Sequence, residues 1–216
     1  METTDTVGLI LRAVVGATML AHGYNHWRGP GGIAGTERWF GGIGLRPPRM
    51  HALASVAVEL AAGAALLIGL LTPLAAAAVV GTMVVAGLTA HRGNGFFVFK
   101  DGYEYVLVLA VVSVCLSALG PGKISLDHAL GTVVDGPTGA AIAGLLGLIG
   151  GLALLATCWR PNREKAAATT EGQNAHPDST RAGDLSQGEP SRRHQPGGVR
   201  NRHYTSTRLI RGKKRW

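Results

Sequence analysis

Charge is scarce in this chain. Asp, Glu, Lys and Arg make up 16% of its 216 residues, and aromatic residues 6%. Soluble domains carry about a quarter charged residues, so a uniformly folded soluble protein is excluded. Cysteine is nearly missing too: Cys115 and Cys158 are the two present, with no CxxC pair and no disulfide framework. There is no phosphate-binding Gly loop and no nucleophile elbow. The charge that does occur is unevenly spread. Residues 1–159 hold eight Lys/Arg against eight Asp/Glu, whereas residues 160–216 hold thirteen against five. The net charge of +8 therefore belongs to the tail, and the basic balance is no argument that the body binds nucleic acid.

Long apolar runs fill the body: Val7 to Tyr24, Ala52 to Leu71, Pro73 to Ala90, Tyr105 to Leu119 and Thr138 to Trp159. About 20 helical residues cross a bilayer, so the second and fifth are long enough outright and the fourth is the weakest. Rich in Ala, Leu and Gly, these runs suit helices rather than barrel strands, because backbone groups in lipid must be satisfied internally. The expected fold is all-α, a multi-pass membrane helical bundle. The first run follows Glu2 and Asp5 instead of a basic region, so it is expected to be retained and not cleaved as a signal. Thr72-Pro73 is expected to join the second and third runs as a tight antiparallel hairpin.

Five crossings place the termini on opposite sides. One side collects Arg28, Arg38, Arg46, Arg49, Arg92, Lys100, Arg160, Arg163 and Lys165, and the other only Lys123. By the positive-inside rule the protein lies in the cell membrane with its N-terminus outside and its tail cytoplasmic. Cys115 and Cys158 then fall toward opposite sides and cannot pair within one chain. Small residues four apart, Ala65 and Gly69, Ala77 and Gly81, Gly147 and Gly151, let helices approach closely; packing within one bundle is the expectation and homo-oligomer formation the alternative. From Arg160 onward the composition reads as a disordered basic tail. Its last residues, with Arg208, Arg211, Lys213, Lys214 and Trp216, suit contact with anionic membrane lipids, and specific nucleic-acid binding is not expected.

A charge at mid-membrane costs roughly 2.5–3.5 kcal/mol on insertion scales, which singles out Arg12 and Glu59. His51, Ser55 and Glu59 share one helix face by their spacing of four. His22, at similar depth on the first helix, is the expected partner of Glu59, with Arg12 about 15 Å farther out. A structural ion pair or hydrogen bond that fixes helix register is the alternative reading. Aromatic residues, among them Phe96, Phe97 and Tyr103, gather at the basic ends together with His22, Asn25, His26, His51, His91, Asn94 and Glu104. These groups are expected to form an inner cap, from loops near 25–50 and 91–104, over a polar mouth containing Glu59. Such a mouth suits a quinone head group, with Glu59 and His22 as the proton-handling catalytic pair. Arg12, His91, Asn94, Phe96, Phe97, Tyr103 and Glu104 would complete the binding site. No covalently bound cofactor and no metal site are expected; His22 and His26, four apart without further ligands, are too few.

LRAVVGATMLAHG, ERWFGGIGL, VELAAGAALLIGLLTPLAA, HRGNGFF, GYEYVLVL and GPGKISLDHAL follow one another over about residues 8–130. In this order and spacing they resemble the DoxX family of small bacterial membrane proteins. The family-typical positions map onto Arg12, His22, Gly23, Glu59, Gly63, His91, Asn94, Gly95, Phe96, Phe97, Glu104, Gly120, Gly122, Ser125 and Asp127. The resemblance implies a four-helix membrane core over residues 1–130, with an additional transmembrane helix at 131–159 and the tail at 160–216 as departures. It also implies a link to thiosulfate:quinone oxidoreductase. Similar actinobacterial proteins associate with a soluble superoxide dismutase and a sulfurtransferase in a membrane-associated oxidoreductase complex. The expected function is thus a quinone-linked subunit of such a complex. A non-catalytic anchor for soluble redox-defence enzymes is the alternative, and a small-solute transporter a third reading.

Overall fold

A computed structural model describes residues 2–161. The expected disorder and lipid contact of the basic tail fall almost wholly outside the described residues, as do Arg163 and Lys165.

Local signals explain where each helix begins and ends. In α1 (Thr3–Arg28), Asp5 Oδ2 accepts the Glu2 N–H at 3.1 Å, so an acid stands at the positive end of the helix. The chain then turns through Gly31, at φ +85°, into the short α2 (Gly32–Gly42), which buries Thr36 and Phe40 on one face. Proline opens α3 (Pro48–Ile68), where a missing N–H costs nothing, and Gly69 closes it in the left-handed conformation. The hairpin expected at Thr72-Pro73 is therefore made three residues earlier, by Gly69–Leu71, and Thr72 already belongs to α4 (Thr72–Ala86). A π-helical turn (Gly87–His91) and one 3-10 turn (Arg92–Asn94) extend that rod.

After α5 (Glu104–Leu119) comes the short α6 (Leu126–Ala129). The fifth crossing consists of α7 (Gly136–Ala141), a π turn (Ile142–Leu146) and α8 (Gly147–Cys158). Four of these rods are long and apolar enough to span a membrane: Thr3–Arg28, Pro48–Ile68, Thr72–Asn94 and Gly136–Cys158. Glu104–Leu119 is shorter. Its 16 residues give about 24 Å, short of the roughly 30 Å hydrocarbon thickness.

The helices α1, α3, α4 and α5 close a four-membered ring, each packed on the next. Its centre is apolar: Val15 and Met19 meet Ala62, Leu66, Val79 and Leu116. Outward faces carry exposed Ile10, Val14, Leu53, Val108 and Val111, the apolar surface a lipid solvent requires. Lipid gives helices no hydrophobic reason to associate, so close backbone approach has to hold them. At the crossing of α1 and α3, a Cβ on Gly16 would stand 2.8 Å from the Gly63 carbonyl oxygen, and one on Gly63 the same distance from that of Gly16. Gly81, Gly147 and Gly151 do the same for α4 against α8, which places two of the expected small-residue pairs face to face within one chain. Gly69 plays a different part, as a helix terminator.

The fifth crossing packs on α4 and α5 outside the ring. Its end is tied to the loop before α3: Arg46 N–H donates to the Cys158 carbonyl (2.9 Å) and Arg160 N–H to that of Gly44 (2.7 Å). Trp159 Nε1 adds a bond to the Ile43 carbonyl at 2.8 Å. One end of the bundle thus gathers Arg28, Arg38, Arg46, Arg49, Arg92, Lys100 and Arg160, and the other carries Lys123.

Candidate functional site

Glu59 lies in the interior of the bundle, 4% exposed, halfway along α3. Ser55, one turn earlier on the same face, donates to Glu59 Oε1 at 2.6 Å. From α1, His26 brings Nε2 to 3.8 Å of the same oxygen, within ion-pair reach but beyond a hydrogen bond. Glu59 Oε2 is buried and has no hydrogen-bond partner among the described residues. Leaving such an oxygen unsatisfied costs on the order of 1–3 kcal/mol, and Glu59 also lines an adjoining space.

That space is a cavity of about 240 Å³ beneath α2. Trp39 stacks on the His26 imidazole (5.8 Å between centroids, 15° between planes) and Phe40 packs at 5.0 Å from Trp39. The Thr36 hydroxyl donates to the His26 carbonyl at 3.0 Å, which ties α2 to the end of α1. His51, buried, bonds through Nε2 to the Arg46 carbonyl (3.2 Å), and Thr82, Val85 and Thr89 of α4 form another wall. Gly150, Gly151 and Leu154 of the fifth crossing close the side. Ser55 and His26 gather around Glu59, while most of the remaining surface is aromatic and aliphatic.

His26, rather than His22, stands beside Glu59. His22 is exposed and faces Tyr105 of α5, with ring centroids 6.3 Å apart. The reason is helical phase. Arg12, Gly16, Met19, Gly23 and His26 follow one another at spacings of four and three along the α3-facing stripe of α1. His22 lies about 100° round from Gly23, which abuts Glu59 and Leu60. Small and buried residues at that spacing were the available signal, and His26 also lies about 6 Å farther along the axis than His22.

The expected cap over Glu59 is half correct. The 25–50 segment supplies the lid as α2, but the residues from 91 to 104 line no part of this cavity. They organise one another instead. His91 Nδ1 bonds the Asp101 carbonyl (2.8 Å), Asn94 Nδ2 the same carbonyl (3.2 Å), and Glu104 Oε2 accepts the Val98 N–H (2.9 Å). Phe96 packs edge-on against both Phe97 and Tyr103, and Phe97 stacks on Phe99. Short-range bonds within this loop engage His91, Asn94 and Glu104 locally, away from α3.

Arg12 is likewise remote from Glu59. It is 1% exposed, and its Nη2 donates to the Ile124 carbonyl at the opposite end of the bundle. Asp127, equally buried, supplies the nearby negative charge. Its carboxylate accepts from Leu71 N (2.7 Å), Thr72 N (2.9 Å) and Thr72 Oγ1 (2.7 Å), capping α4 from the loop after α5. A side chain on Gly69 would collide with the guanidinium, so this turn needs glycine for space as well as for φ. These contacts fix helix register at the far end. At that same end the exposed Lys123 bonds Glu2 Oε1 at 3.0 Å, which raises its pKa.

Residues 7–92 match the family model described as DoxX. The match takes in α1 to α4 and with them Glu59, Ser55, His26, Trp39, Phe40 and His51; α5, the Asp127 loop and the fifth crossing lie beyond it. No curated protein and no solved structure matches the chain.

Proposed function

We propose that this chain, whose residues 7–92 match the DoxX family model, is a quinone-linked subunit of a membrane-associated oxidoreductase complex. The observation that carries the reading is the buried, half-satisfied carboxyl of Glu59 at the wall of an aromatic cavity. An empty apolar cavity of about 150 Å³ takes a benzene ring, so 240 Å³ accommodates a substituted single ring while its tail extends into lipid. A bound quinone would supply two-electron redox chemistry coupled to protons. The chain's own part is to hold the ring between Trp39, Phe40 and the aliphatic wall, to exclude water beneath α2, and to hold and pass a proton at Glu59 Oε2. His26 Nε2 and the Ser55 hydroxyl position that carboxyl. His22, proposed from sequence as the second proton-handling group, is replaced in that role by His26.

The basic end, on which α2 and the cavity lie, faces the cytoplasm in this proposal, and the N-terminus lies outside. Soluble enzymes of the kind the family resemblance implies, a superoxide dismutase or a sulfurtransferase, would deliver electrons from that side.

Short-chain quinone titrated into the protein in lipid nanodiscs tests the proposal, read by tryptophan fluorescence. Saturable quenching is expected, largely lost in Trp39→Phe. Glu59→Gln keeps the shape but removes the ionisable group. Binding there should weaken about three- to tenfold, the worth of one net hydrogen bond, and quinone-dependent turnover of the reconstituted complex should fall further. Wild-type turnover in Glu59→Gln would overturn the assigned proton role.

A further inference from the structure

A second recess, sharing no residue with the first, opens between α4, α5 and α8 and encloses about 480 Å³. Leu88, Ala110 and Leu148 are among its walls, and exposed Leu107 and Leu152 show that it faces lipid. Arg92 and Tyr103 stand at its basic end. Among the described residues no carboxylate pairs with Arg92, whose side chain is exposed. Nine residues separate Met83, at the deep end, from Arg92. That is about 13 Å of helix, close to the roughly 15 Å depth of one leaflet's hydrocarbon. Two of the three rods that flank the recess contain a π turn, Gly87–His91 in one and, just before the lining Leu148, Ile142–Leu146 in the other. Such turns displace the following side chains from regular helical phase and are frequent where a helix wall is shaped for a ligand.

An apolar slot of one leaflet's depth with a single unpaired cation at its interfacial end has the complementarity of a phospholipid: acyl chain in the slot, phosphate at the guanidinium. We infer that this recess is a binding site for one anionic phospholipid, held by Arg92 beside Tyr103. The site is independent of the quinone proposal. It would fill the seam that the fifth crossing makes with α4 and α5, beyond the DoxX-matched segment on two of its three sides.

The test is native mass spectrometry of the full chain in mild detergent, titrated with phosphatidylglycerol or phosphatidylcholine. Wild type is expected to retain one phosphatidylglycerol in preference to phosphatidylcholine by roughly fivefold, the discrimination of one interfacial cation. Arg92→Gln should bring that preference to near parity. Lys100→Gln, which removes an equally exposed charge outside the recess, should leave it unchanged, and Ala110→Phe, which fills the slot, should lower retention of both lipids. Arg92 is exposed, so its variant decides the matter even if Ala110→Phe fails to fold. Equal retention of the two lipids by wild type, equal behaviour of Arg92→Gln and Lys100→Gln, or a lipid-free dimer that covers the recess would each overturn the inference.

Discussion

Two glycines, Gly16 of α1 and Gly63 of α3, set the distance between the helix that carries His26 and the one that carries Glu59. Adding a methyl group at either position places a Cβ 2.8 Å from the facing carbonyl oxygen, against backbone on a rigid rod. Gly16→Ala also meets Leu67 Cγ at 3.0 Å, and Gly63→Ala meets Leu20 N at 2.9 Å. Relief requires the helices to separate, which strips dispersion contacts from the whole crossing. Overpacking of this kind costs about 1–3 kcal/mol, offset by up to about 1 kcal/mol of helix propensity gained by alanine. Each single variant should therefore lose about 1–2 kcal/mol. Gly150→Ala is the control, since nothing lies within 4 Å of its added Cβ; that variant should be neutral or slightly more stable. Gly16→Ala combined with Gly63→Ala should lose less than the sum of the two, because the first substitution has already opened the gap the second needs. Reversible denaturation in mixed micelles gives all four stabilities. Gly16→Ala as stable as Gly150→Ala, or strict additivity of the pair, would refute the close crossing and with it the geometry that brings His26 to Glu59.

Asp127→Ala removes three hydrogen bonds from the start of α4 and the charge that faces Arg12. It should lose about 3 kcal/mol or more, whereas the double variant Arg12→Met with Asp127→Asn should recover part of that loss by removing the uncompensated cation; denaturation midpoints check both. Trp159→Phe keeps the ring but loses the 2.8 Å bond to Ile43, so amides of residues 32–45 should exchange severalfold faster, the effect of about 1 kcal/mol, while the α1–α3 crossing remains protected. Thr36→Val frees α2 from the His26 carbonyl and should weaken quinone quenching of Trp39 fluorescence without lowering global stability by more than about 1 kcal/mol.

The helices themselves follow from composition. Runs of Ala, Leu, Val and Gly long enough to cross lipid can satisfy their backbone only as helices, so the order and approximate limits of the apolar rods, four of them long enough to span, are one-dimensional properties of the chain. Glu59 and Arg12 stand out for the same reason, because the cost of a charge in lipid depends on position along a rod and not on its neighbours. Which groups meet them depends on rotation about the helix axis and on which rods touch. His22, one turn before His26 and about 40° round the helix from it, faces Tyr105, whereas His26 faces Glu59. Arg12 finds its counter-charge on a loop 115 positions away, Asp127, because the ring of α1, α3, α4 and α5 closes there. Local bonding explains the 91–104 loop: His91, Asn94 and Glu104 find backbone partners within ten residues, which a sequence reading of them as site residues could not anticipate. The cavity is likewise a product of tertiary structure, since its walls come from four separate helices and its side from a fifth crossing outside the family match. Sequence thus determined what must enter the membrane and which residues are costly there; the packing of rods, fixed by glycine contacts, decided which of those residues face a common space.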